Sequence, residues 1–110
     1  MAHPLMVAVR LERAGLRLEQ DIADNQLDLI TILEIGEALK AYYEIVFNVP
    51  LPPAEEIELN AGNISSGSML YRMQAAIYLV LYARRTIYIH HCTQILTLVH
   101  ELLADYFRAG

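Results

Sequence analysis

The chain has 110 residues, 55% of them hydrophobic and 19% charged, with a net charge of −5. That length supports one domain, and the composition excludes intrinsic disorder, which needs low hydrophobicity and high charge. A net-acidic chain is also a poor general nucleic-acid binder, because such affinity comes from cations neutralising phosphates.

The charge is unevenly laid out. Residues 1–18 and 59–110 each carry +2, whereas 19–58 carry −9, with ten acidic residues against Lys40. Basic ends packing beside an acidic middle is the simplest reading. The most apolar run, Ala75 to Ala83, covers nine residues, and a bilayer needs about 20. No membrane span is expected. Met1-Ala2-His3-Pro4 lacks the charged and apolar regions of a signal peptide. The lone Cys92 excludes an internal disulfide and fits a reducing compartment, so a cytoplasmic location is the expectation. The glycosylation-type triplet Asn63-Ile64-Ser65 then has no role.

In chain order, the first expected element is a helix over about 4–24, opened by Pro4, a favoured first-turn residue. Val7, Leu11, Ala14, Leu18 and Ile22 fall on one helical stripe. Leu5, Val9, Leu16 and Ala23 form a second apolar stripe, and Arg10, Arg13 and Arg17 share a third side. Two apolar stripes imply two neighbours. The alternation Val7, Val9, Leu11 and Leu16, Leu18 around Gly15 also allows a hairpin.

A second helix is expected over about 26–47, capped by Asp24 or Asn25. Leu29, Ile32, Gly36, Leu39, Tyr43 and Val46 recur at heptad spacing, with Glu34, Glu37, Ala41 and Glu44 turned away. Gly36 inside that seam costs about 1 kcal/mol against alanine. It is either tolerated there or allows close approach of another backbone.

A long connection follows at 48–68, rich in Pro, Gly, Ser and Asn, and is expected to be mobile. A short helix starting near Pro53 would break it up. Ser68 is a good N-cap, and no Gly or Pro occurs between it and Gly110. The apolar phase nevertheless changes. Leu70, Met73, Ile77, Val80 and Leu81 form one stripe, and Tyr88, Cys92, Ile95, Val99, Leu102 and Tyr106 form another. β-Branched Thr86, Ile87 and Ile89 weaken the helix between them. Two helices, about 68–84 and 87–108, are favoured over one.

The fold class is therefore all-α: an antiparallel four-helix bundle, or a long helical hairpin completing a bundle as a dimer.

Chemistry-bearing patterns are sparse. His90, His91, Cys92 and His100 lack partners at i+3 or i+4, so no metal site is expected. No cofactor motif appears either. Ser65, Ser66 and Ser68 are explained by helix capping, with no strained Gly-x-Ser-x-Gly turn. Arg10, Arg13 and Arg17 are candidates for nucleic-acid contact, although the net charge argues against them. Arg85-Thr86-Ile87-Tyr88-Ile89-His90 resembles the Arg-x(4–6)-His element of HEPN-family ribonucleases, with Thr86 where that family has Asn, Asp or His. The resemblance covers six residues. It implies an arginine that stabilises phosphate charge and a histidine that moves a proton, paired across a dimer cleft.

Aromatic placement carries more. Tyr71, Tyr78 and Tyr82 stand at i, i+7 and i+11, and Arg85 completes the row. Tyr and Arg are enriched at protein interfaces, although a central helix could also carry such a row. The expected function is thus a non-enzymatic protein-interaction or regulatory module. Its expected interface is Tyr71, Tyr78, Tyr82, Arg85, Leu5, Val9 and Leu16, its partner a second copy, another protein, or both. A helical ribonuclease using Arg85 and His90 is the alternative.

Overall fold

The computed structural model describes residues 3–60 and 67–109. Within them run α1 (Pro4–Ala23), α2 (Leu29–Phe47), α3 (Ala54–Asn60), α4 (Met69–Arg85) and α5 (Ile89–Ala109). The described residues contain no strand, so the all-α expectation holds and the hairpin reading of 4–24 fails.

α1 starts where Pro4 takes the first helical position and His3 Nδ1 accepts the Leu5 N–H at 3.1 Å. It ends before Asn25, whose φ of 53° is left-handed and stops the helix. α2 begins three residues later than the expected Gln26, because Asp28 rather than Asp24 or Asn25 caps it, accepting the Ile30 N–H at 2.9 Å. Thr31 donates to the Asp21 carboxylate at 2.6 Å, and Arg17 reaches Glu34 at 2.9 Å. These cross-links join α1 and α2 as an antiparallel hairpin. Asn48, also left-handed at φ 55°, terminates α2.

The connection from α2 to α4 carries α3, as expected near Pro53. The Pro53 carbonyl accepts the Glu56 and Ile57 N–H groups at 3.0 and 3.1 Å. Ile57 is buried and holds α3 on α4. Glu44, expected on an outward face, is half-buried and accepts the Leu51 N–H at 2.9 Å. The mobility expected of 48–68, the Asn63-Ile64-Ser65 triplet and the capping read for Ser65 and Ser66 fall wholly or partly on 61–66, outside the described residues.

Ser68 caps α4 by accepting the Tyr71 N–H at 3.0 Å. At the other end Thr86 is extended (φ −146°), so α4 and α5 are separate helices. Arg72 and Asp105 tie them at 2.8 Å.

Around the core, α1 packs on α2 and α5, while α4 packs on α2, α5 and α3. The four long helices therefore close a ring within one chain, with α1 and α4 diagonally opposed. A thin hairpin needing a second copy to complete it is not what the chain forms. Leu11, Leu18, Ile32, Ile35, Leu39, Met73, Ile95, Val99 and Leu102 fill the centre. No helix among the described residues is long and apolar enough to cross a membrane.

α2 departs from its expected seam. Leu29 and Val46 are exposed, while Ile35, Ala38 and Tyr42 are fully buried. A strict heptad drifts by about 20° per repeat from a straight helix, so the seam leaves the core at both ends. α2 also buries a wide face because it lies between α1 and α4.

Candidate functional site

Along α4 the Tyr71–Tyr78–Tyr82–Arg85 row does form a continuous edge. Tyr71 and Tyr78 are half-buried, and Tyr82 and Arg85 are exposed. The Tyr78 hydroxyl lies 3.1 Å from that of Tyr82, and their rings meet edge-on with centroids 4.9 Å apart. That hydrogen bond, then desolvation, then the neighbouring Tyr82 and Glu58 charges, push the Tyr78 phenol up to about 12.

The edge borders a groove of about 530 Å³. Its walls are Tyr71, Gln74, Ala75, Tyr78 and Leu79 of α4, and Gln94, Thr97 and Leu98 of α5, with Ile57 of α3 along one side. The volume lies in the range of ligand-binding clefts. Towards the α4 C-terminus a further hollow runs on past Tyr82, Arg84 and Arg85, with Ala54 and Glu58 opposite.

Gln74 is the residue that the tyrosine row did not reveal. It is only 8% exposed, and its Oε1 is buried with no hydrogen-bond partner. Buried polar atoms without partners are rare in folded proteins, and Gln74 Oε1 shares this state with the Tyr42 hydroxyl, Arg72 Nε and His91 Nδ1. The signal was present in the sequence: one amide side chain midway between Tyr71 and Tyr78 on an otherwise apolar helix face. Thr97, on the opposite wall, donates its own hydroxyl to the Thr93 carbonyl at 3.1 Å, leaving its oxygen free to accept.

The other expected interface residues lie elsewhere. Leu5 and Leu16 are 47% and 56% exposed, and Val9 is half-buried on the same helix. α1 makes no packing contact with α4 among the described residues. The structure thus does not gather the seven candidates into one patch. They make two surfaces at opposite corners of the bundle. The α1 surface includes a shallow trough shared with α2, in which Leu5 and Val9 lie beside Arg10, Arg13 and Arg17. Of these arginines, Arg17 is held by Glu34, a direct case of a basic end resting on the acidic middle.

Arg85 and His90 flank the turn at 86–88, both exposed. Among the described residues no hydrogen bond or ion pair joins them. The neighbouring His91 packs between Tyr82 and Tyr88, with ring centroids 6.0 and 5.7 Å away, and its Nδ1 is buried without a partner. Cys92 is fully buried, and burial pushes its thiol up, which keeps it protonated. No three His, Cys, Asp or Glu side chains among the described residues converge as a metal site would require.

No protein-family model, curated protein or solved structure matches the chain.

Proposed function

We propose that the chain is a non-enzymatic protein-interaction module, a regulatory adaptor acting through apolar and tyrosine-rich helix faces. The α3–α4–α5 groove is the docking site for another protein. The outer stripe of α1, at the opposite corner, pairs with a second copy. The observation that carries this reading is Gln74: a nearly inaccessible amide with an unmet acceptor, set among Tyr71, Tyr78, Leu79 and Leu98. Such a group costs about 1–3 kcal/mol while unpaired, and the chain keeps it in the apolar wall of this groove. On the other side, exposed Leu5 and Leu16 flank half-buried Val9, an apolar stripe that a twofold dimer would cover.

Light scattering coupled to size exclusion tests the self-association. A mass near twice 12.5 kDa is expected at micromolar concentration, with Leu16→Asp returning it to a monomer. If Tyr78→Asp dissociates the pair instead, the groove is the self-interface. A wild-type monomer at high concentration removes self-association from the reading.

A second reading is a helical ribonuclease. It is favoured by the exposure of both Arg85 and His90 on either side of one short turn, and it needs a second copy to complete a cleft.

A further inference from the structure

We infer that the pairing of two copies sets α1 of each against α2 of the other, the arginine row of one copy lying on the Glu34–Glu37 row of its twin. This rests on the reading of α1 as the self-interface and adds the element on which it docks.

The outer side of the α1–α2 hairpin is divided by charge. Arg10, Arg13 and Arg17 stand along α1, and Glu34 and Ala41 of α2 line the same trough. Glu37 is exposed one turn beyond Glu34. The acids of α1, Glu12 and Glu19, share the α5 side of that helix, where Glu19 reaches His100 at 3.7 Å. Lys40 follows one turn after Gly36, which faces Val80 of α4, so it too stands away from the trough. Arg17 and Glu34 meet within the chain. Among the described residues no ion pair engages Arg10, Arg13 or Glu37. Exposed apolar residues accompany both rows: Leu5, Met6 and Leu16 on α1, and Ile30 and Leu33 on α2.

A twofold dimer on this face has two arrangements. An axis across the hairpin lays α1 on α1 and sets the arginine row against itself, which repels. An axis along the hairpin lays α1 on α2, basic row on acidic row, and preserves height along the helices. The Arg17–Glu34 bridge fixes those heights. Arg13, one turn back along α1, is level with Glu37, one turn on along the antiparallel α2. Arg13 of each copy then faces Glu37 of the other, twice per dimer.

Light scattering over a dilution series of the full chain tests this. Arg13→Glu and Glu37→Arg should each raise the dimer Kd about tenfold, since attraction becomes repulsion at two symmetric places. Arg10→Glu serves if Arg13→Glu does not fold. An equimolar mixture of the two single variants should recover the wild-type dimer, because every contact between unlike copies then joins opposite charges. Repair inside one chain cannot produce that recovery. Single variants that dimerise like the wild type, or a mixture that pairs no better than its parts, overturn the inference. Leu16→Asp separates that failure from failure of the underlying reading. If it still yields a monomer, α1 remains the self-interface and only its docking on α2 falls. A wild-type monomer at high concentration overturns both.

Discussion

A Cβ atom built on Gly36 would lie 2.9 Å from Cγ1 of Val80. The glycine at the centre of α2 thus lets α4 come in close, and what approaches is a rigid β-branched side chain rather than backbone. Helix propensity alone makes Gly36→Ala stabilising by about 1 kcal/mol. Overpacking of this kind costs about 1–3 kcal/mol, so the expected net effect of Gly36→Ala is a loss of stability. Val80→Ala alone creates a cavity and destabilises. The double variant should be more stable than the sum of the single losses implies, and urea denaturation of all four proteins measures that coupling. Additive losses would mean that α2 and α4 do not meet at this point.

Tyr42 is fully buried on α2, its ring edge-on to Tyr106 of α5 at 6.1 Å, and its hydroxyl has no partner. Tyr42→Phe keeps the packing and removes the stranded oxygen, so it should stabilise the fold by about 1 kcal/mol. Burial, and secondarily the charges of Tyr106 and Asp105, push this phenol up to about 12. The sign follows from linkage: between its ordinary value of about 10 and about 12, only the unfolded chain loses the proton. The stability tied to this group is therefore complete below pH about 10 and lost as pH rises to about 12. Denaturation midpoints across that window should fall more steeply for the wild type than for Tyr42→Phe. Parallel curves would remove Tyr42 from the alkaline response.

Much of the fold could be read from the sequence, and its limits have a physical cause. α1 and α5 follow most of their stripes because each has a polar side: Val7, Leu11, Ala14 and Leu18, then Cys92, Ile95, Val99 and Leu102, are buried. Tyr88, expected to head the second stripe, is instead exposed just before α5 begins. The break at 86–88 showed itself as a phase change. α2 was harder because it is apolar on more than one side, so a heptad chosen by spacing missed Ile35, Ala38 and Tyr42. Of the site, the tyrosine row was legible, and so was the place of Gln74 on the helix, but not the unmet state of its amide oxygen. A helical period places a residue on a face, but whether an amide there finds a partner depends on what α3 and α5 bring opposite. Leu5 and Tyr78 belong to separate apolar faces in the sequence, and the diagonal placement of α1 and α4 keeps them apart.

Two carboxylates meet arginines in different surroundings, and they should differ in value. Arg17 and Glu34 are 60% and 46% exposed, so solvent screens their contact. Glu34→Gln should cost under about 1 kcal/mol. Arg72 and Asp105 are only 24% and 22% exposed at 2.8 Å, and Arg72 also donates to the Gly67 carbonyl at 3.3 Å. Asp105→Asn leaves a half-buried guanidinium without its counter-charge and should cost about 1.5–3 kcal/mol. Urea midpoints decide the order. A larger loss for Glu34→Gln would reverse the order that burial sets.

The ribonuclease reading makes the sharpest demand on Arg85 and His90. Acid–base cleavage of RNA needs the imidazole within hydrogen-bond reach of the proton it moves and the guanidinium close to the phosphate. Within one chain these residues stand on either side of the 86–88 turn, exposed and unconnected, so a second copy would have to supply the complementary half. The net charge of −5 also repels a polyanion. The adaptor reading therefore predicts no cleavage of single-stranded RNA by the purified chain at any concentration at which it pairs. Arg85→Ala and His90→Ala should leave folding and self-association unchanged, since both side chains are solvent-facing and neither lies on α1. Wild-type cleavage abolished in both variants, with their helical content and dimer mass intact, would replace the adaptor by the enzyme. Cleavage that survives both substitutions would exclude Arg85 and His90 as its source.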